Sequence, residues 1–304
     1  MTPPRELPPT LRALLSELVD YAGLFPPAAL SMRDAVTEFA AQLRSPEAWA
    51  LGRLVVPAAR LDEMAAESAR CSGDRTAPWR VSALVGDTAD RDVASLRAFN
   101  RAHAGRLVVD TVECRAPDRA TVERVARDVA RAAGPDMVLF FELPIDRDPA
   151  PLLAVVRDAG GRAKVRTGGV TPDAFPSTAK LARFIARCAS LGVPFKATAG
   201  LHHPLRGEQR LTYASDSACA TMFGFMNVFV AAAMARAGLD EAGIAHALEE
   251  RDPEAFEFGA DTLRWREHAV SLDQLVATRH SFALSFGSCS FREPVDDLRQ
   301  LGLL

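Results

Sequence analysis

Lysine is nearly missing from this chain. Its 304 residues carry 36 lysines and arginines together, and only Lys164, Lys180 and Lys196 are lysine. Arginine supplies the remaining positive charge, as a GC-rich genome would favour, so a retained lysine is informative. Arginine stays charged, whereas a buried lysine can lose its proton and act as nucleophile or base. Paired cysteine motifs are also missing. Cys71, Cys114, Cys188, Cys219 and Cys289 are odd in number and contain no CxxC. That excludes a disulfide framework and a zinc ribbon, and suits a reducing cytoplasm. No GxGxxG follows the first strand, which removes the dinucleotide fingerprint. The Met1–Arg5 start is polar and proline-rich rather than a secretory signal. The longest apolar run, Met222–Ala235, is too short for a membrane span and is interrupted by Gly224 and Asn227. A net charge of −3 without a basic stripe excludes a nucleic-acid footprint. The expectation is therefore a cytoplasmic protein with neither nucleic-acid nor membrane partner and no required cofactor or metal.

What is present is an ordinary globular composition, 48% hydrophobic and 25% charged. Apolar periodicity predicts a helix over Leu11–Val19, and Ser31 caps another over Met32–Leu43. Residues 1–48 form an expected helical leader packing on the domain. Its Asp20–Pro27 loop is read as a surface turn, with a reach into a binding site as the alternative. From residue 49 to 304, short apolar runs alternate with helical stretches. Strands are expected at 51–57, 79–85, 106–113, 136–143, 162–167 and 193–199. Asp87–Asp90 leads into the helix after the second, and helices are also expected over 119–133, 150–159 and 178–191. Ser215–Ala237 and Leu239–Glu249 follow as helices. Phe256–Trp265 is the seventh strand, or else a hairpin around Gly259, and Phe282–Phe286 is the eighth. Such repeats imply parallel βαβ units and an α/β fold, a (β/α)8 TIM-type barrel in preference to an open doubly wound sheet. The Met222–Ala235 helix is apolar on most sides, which suggests packing beyond its own barrel, as in a homo-oligomer.

In a barrel, functional side chains gather at the C-terminal strand ends. Polar residues do cluster there: Glu113 on strand 3, Glu142 on strand 4, Lys164 and Arg166 on strand 5, Lys196 and Thr198 on strand 6, followed by His202 and His203. Alternation puts Lys164 with Arg166, and Lys196 with Thr198, on interior faces. Two ammonium groups in one apolar interior repel each other, and desolvation adds to that, so a depressed lysine pKa is expected. The alternative is a structural salt bridge from each lysine to Glu142 or Glu113. The Arg166-Thr167-Gly168-Gly169 run offers backbone N–H groups to an anion, or is a tight turn. Gly287-Ser288-Cys289-Ser290 fits a barrel phosphate loop, with Ser288 and Ser290 as contacts. Cys289 has no evident base and is read as an inert thiol. The adjacent histidines point apart on an extended segment, so one of them faces the site.

Lys196-Ala-Thr-Ala-Gly200 resembles the Lys-x-Ser/Thr-x-Gly run of the deoxyribose-phosphate aldolase group, whose strand-6 lysine forms a Schiff base. Lys164-Val165 is similar to that group's strand-5 lysine, and Gly287–Ser290 to its glycine- and serine-rich phosphate loop. The resemblance covers about a dozen residues. The group's strand-7 lysine has no counterpart in Phe256–Trp265, and Glu142 or Glu113 would stand in for its aspartate. The resemblance implies class I lyase chemistry on a small anionic carbonyl compound. In that scheme Lys196 is the nucleophile, Lys164 tunes it, and Glu142, Glu113 or a histidine moves protons. Arg166, Thr167, Gly168, Gly169, Thr198, Gly287, Ser288 and Ser290 would hold the substrate. Two other classes remain open. One is a metal-dependent barrel enzyme using Glu113, Glu142 and His202 or His203. The other is a barrel that binds a small anion without catalysis.

Overall fold

The computed structural model describes residues 7–71, 77–86, 89–132 and 137–304. The Met1–Arg5 start, Asp87 and Thr88 of the helix lead-in, Ala133 and Asp136 lie outside the described residues. Eight parallel strands close a barrel: β1 (Val19–Tyr21), β2 (Leu51–Pro57), β3 (Trp79–Leu84), β4 (Leu107–Arg115), β5 (Val138–Glu142), β6 (Arg162–Arg166), β7 (Phe195–Thr198) and β13 (Ala283–Ser288). Their spatial order is β1-β13-β7-β6-β5-β4-β3-β2, with β2 returning to β1. Two antiparallel pieces are added outside: β8 (Gly207–Arg210) with β9 (Cys219–Met222), and β10 (Phe256–Phe258) with β11 (Thr262–Trp265) and β12 (His268–Ser271). The helices are α1 (Pro9–Leu15), α2 (Met32–Gln42), α3 (Leu61–Ser68), α4 (Ala89–Ala102), α5 (Arg119–Ala132), α6 (Ala150–Asp158), α7 (Thr178–Leu191), α8 (Phe225–Arg236), α9 (Glu241–Glu249), α10 (Leu272–Ser281) and α11 (Arg292–Gln300). Among these described residues no helix is long and apolar enough to cross a membrane.

The α/β barrel is as expected, but its closure is not. Within the leader, the Val19–Tyr21 segment is itself a barrel strand between β13 and β2 rather than part of a helical cover. The Leu11–Val19 helix therefore stops at Leu15. Phe256–Trp265 is not a barrel strand but an antiparallel hairpin, with Gly259 N–H donating to the Thr262 carbonyl at 3.0 Å. The helix expected from Ser215 starts only at Phe225, after the β8–β9 hairpin.

Strand alternation sorts the two faces. Phe195 of β7 points outward, edge-on to Phe184 of α7 at 5.8 Å and to Phe282 at 5.3 Å between ring centroids. Its neighbour Lys196 therefore points inward. Phe286 of β13 likewise stacks on Phe225 at 5.3 Å. Each such aromatic contributes about 1.5–3 kcal/mol by leaving water. Those anchors fix the register that sets Glu142 beside Lys164, and Lys164 beside Lys196. α8 is buried from Phe225 to Met234 without a break. It lies against α7, α9, α10 and β13 of its own chain. Its all-round apolarity is thus covered within its own chain.

Candidate active site

The barrel interior holds a line of alternating charges. Lys196 Nζ lies 2.5 Å from Asp20 Oδ2 and 2.7 Å from Glu113 Oε1. Lys164 Nζ lies 2.8 Å from Glu113 Oε2 and 3.0 Å from Glu142 Oε2. Arg166 Nε completes the line at 3.1 Å from Glu142 Oε1. Three carboxylates and three cations therefore alternate from Asp20 to Arg166 and cancel. Lys196, Asp20 and Glu113 are each 1% exposed, so this balance is what makes their burial tolerable. Two serines finish the hydrogen bonding: Ser285 donates to Asp20 at 2.7 Å and Ser82 to Glu113 at 2.7 Å.

The balance reverses the expected electrostatics of Lys196. Burial works against its ammonium form, but Asp20 and Glu113 outweigh burial and hold its pKa above the ordinary lysine value. Burial would raise Glu113, yet Lys164 and Lys196 outweigh it and hold its carboxyl far below the usual range. Glu142 is lowered in the same way, against burial, by Lys164 and Arg166. The mutual repulsion expected of the two lysines is interrupted by Glu113, which sits between them.

Asp20 is the residue that sequence reasoning placed in a turn. It is held from the β2 side by the Arg53 backbone N–H, which donates to Oδ1 at 2.8 Å. Gly52 makes this approach possible, since a Cβ there would collide with Asp20 Oδ1. That oxygen is locked by partners and cannot swing aside. Gly52→Ala is therefore expected to loosen the Asp20–Lys196 pair and lower stability by about 1–3 kcal/mol, read by denaturant unfolding. Asp20, Ser82 and Ser285 went unrecognised; the one signal was a lone carboxylate inside the apolar run Leu18–Tyr21.

A cavity of about 260 Å3 opens onto the top of this network. Glu113, Lys164, Arg166, Lys196, Thr198 and His202 reach it, along with Gly169, Gly287 and Cys289. Ala22, Phe25 and Pro26 also line it, so the leader loop reaches the site after all. The other expected contacts are already engaged. Thr167 Oγ1 donates to the Ala199 carbonyl at 2.5 Å. Gly168 packs closely against the Phe175 ring and Gly200, where a Cβ would not fit. Ser290 Oγ accepts from Glu293 N–H at 3.1 Å at the start of α11. Ser288 Oγ lies 3.4 Å from His202 Nδ1.

The two histidines do diverge. His203 Nδ1 lies 2.6 Å from Asp297, away from the network. His202 lines the cavity, its Nδ1 3.2 Å from Glu293 Oε2 and 3.9 Å from Cys289 Sγ. Cys289 therefore has an imidazole beside it, contrary to expectation. Burial disfavours a charged His202, but Cys289 and Glu293 outweigh it and push the pKa up to about 9. A raised histidine stabilises the fold below its unfolded pKa of about 6.5 and loses that contribution as pH climbs through the folded value. Unfolding free energy should fall by up to about 3 kcal/mol between pH 6.5 and 9, and His202→Gln should flatten that slope in denaturant titrations. Glu113 and Glu142 are both committed to lysine, and among the described residues no three histidine, cysteine, aspartate or glutamate side chains converge as a metal ion would require.

No family model matches this chain, and no curated protein matches it. Among solved structures it is similar to a nitroalkane oxidase from Streptomyces ansochromogenes, at 15% identity over 95% of this chain and 97% of the other. The TM-score of that pair is 0.36, and a likeness at that level carries no argument about fold or activity.

Proposed function

We propose that the protein is an enzyme acting on a small anionic carbonyl compound, a carbon–carbon lyase that works through a Schiff base on Lys196. One observation carries the reading. A buried amine faces a small cavity at the C-terminal mouth of the barrel, with two carboxylates within 2.7 Å of it. The resting amine is an ammonium ion, so it must pass a proton to Asp20 or Glu113 before attack. The freed lone pair then adds to the carbonyl carbon, giving a carbinolamine that loses water to form the iminium. The iminium draws the electron pair of the neighbouring carbon–carbon bond as it breaks, while a base takes the proton of the departing hydroxyl. Lys164 bridges Glu113 and Glu142 and holds both carboxylates in place. Arg166 and His202 line the cavity and offer N–H donors to an anionic substituent. Reprotonation of the enamine and hydrolysis of the imine return the lysine.

The test is borohydride reduction in the presence of pyruvate or acetaldehyde, read as a mass increment on the peptide that contains Lys196. An adduct there is the expected result. An adduct on another amine, or binding of the anionic probe without any adduct, would overturn the reading, the latter in favour of a non-catalytic anion binder.

A further inference from the structure

The opposite, N-terminal mouth of the barrel holds a second cavity, also about 260 Å3. Its wall is rich in arginine: Arg53 on β2, Arg80 on β3, Arg162 on β6 and Arg279 on α10. Two of these are neutralised. Asp110 accepts from Arg53 Nε at 2.6 Å and from Arg80 Nε at 3.0 Å, and Glu17 accepts from Arg80 Nη1 at 2.5 Å. The other two are not. Arg279 is buried and directs its N–H groups to the carbonyls of Leu14 at 2.8 Å, Ser16 at 3.0 Å, Leu284 at 2.7 Å and Ala283. Carbonyls satisfy its hydrogen bonds without cancelling its charge. Burial accordingly lowers its pKa to about 9, against the pull of Asp20 and Glu17. The Arg162 side chain has no hydrogen bond or ion pair among the described residues, and its guanidinium lies 5.8 Å from the Phe140 ring centroid. Burial and the like charge of Arg53 also lower Arg162.

A half-buried arginine whose guanidinium bonds no described residue, beside a buried arginine bonded only to carbonyls, brings two positive charges to a partly open cavity, with Asp110, Asp20 and Glu17 as the carboxylates that act on them. We propose that this mouth is a binding site for a small oxyanion of one or two charges, inorganic phosphate being the type, with Arg162 as its principal ligand. The planar guanidinium fork matches two oxygens of such an anion. The cavity is smaller than the roughly 300–1,000 Å3 of pockets that take whole cofactors, so a phosphate- or small carboxylate-sized group fits the volume. The site is separate from the lysine cavity and stands whether or not Lys196 forms an imine. Ser285 lines the lower cavity and bonds Asp20 from below, which marks the wall between the two.

Thermal unfolding of the full chain in inorganic phosphate, against chloride at matched ionic strength, tests the proposal. Phosphate at roughly ten times its dissociation constant should raise Tm by about 2–4 °C. Arg162→Gln should lose that rise, and Arg166→Gln, which alters the upper cavity, should keep it. Arg162→Lys, which retains charge but not the fork, should show less than half of it. A rise no larger than that in chloride, a full rise in Arg162→Gln or in Arg162→Lys, or a rise lost only in Arg166→Gln would each overturn the lower site.

Discussion

Lys196→Arg is expected to fold and to give no borohydride-trapped adduct with pyruvate or acetaldehyde, at the level of denatured protein. The guanidinium retains a positive charge for Asp20 and Glu113 but has no lone pair to add to a carbonyl. Lys196→Met separates chemistry from stability. It also abolishes the adduct, but it leaves two buried carboxylates short of a cation. Removing one member of a buried ion network costs about 3–5 kcal/mol, so Lys196→Met should unfold at much lower denaturant than Lys196→Arg. Intact adduct formation in Lys196→Arg would end the Schiff-base reading. Equal stability of the two variants would instead show that the ion pairs contribute little.

Glu113→Ala should have the largest effect on the fold. Among the described residues Glu113 is the only carboxylate that bonds both Lys164 and Lys196, and Ser82 also bonds it. Its loss leaves two ammonium groups facing each other across a water-poor interior. The expected cost is about 3–5 kcal/mol, or a fall in Tm on the order of 10 °C. Glu113→Gln keeps the shape and removes only the charge, so Lys196 loses one of the two carboxylates that raise its pKa. Its pKa should then drop, and adduct formation should reach half its maximal rate at lower pH than in the native protein. Acid reports on the same group. Glu113 and Glu142 are depressed in the folded state. Their contribution is fully present above the unfolded carboxylate pKa of about 4.3 and is lost as pH falls through the folded values. Native protein should therefore lose stability steadily below about pH 5, and Glu113→Gln should lose less over that span. A native protein whose stability is flat from pH 5 to 3 would contradict the network.

Six of the eight barrel strands, β2 to β7, were legible because each is a short apolar run bounded by helical periodicity. β13 was legible for the same reason. β1 was not, because three residues carry no periodicity, and a helix pattern from Leu11 runs straight into them. Phe256–Trp265 has the apolar content of a strand, but a hairpin satisfies that content equally well. The inward direction of Lys164 and Lys196 followed from alternation with Phe195 and Val165. Their partners did not follow, since Asp20 lies at the far end of the chain from Lys196 in sequence and meets it only through barrel closure. The sign of the Lys196 pKa shift was lost with it. Counting two lysines in one interior gives repulsion, and counting Asp20 and Glu113 as well reverses the outcome.

The place of β1 has a consequence for how the chain comes off the ribosome. Val19 pairs with Phe286, and Asp20 with Gly287, so β1 is made long before its neighbour. At roughly 5–20 residues per second the wait is tens of seconds. Until β13 is in place, Asp20 is held to neither Lys196 nor Ser285. A nascent chain stalled between β7 and β13 leaves β1 and β7 without the strand that joins them. Lys196, Asp20 and Ser285 are joined only through β13, so a chain cut short between β7 and β13 would carry all three lysines and an unclosed charge network.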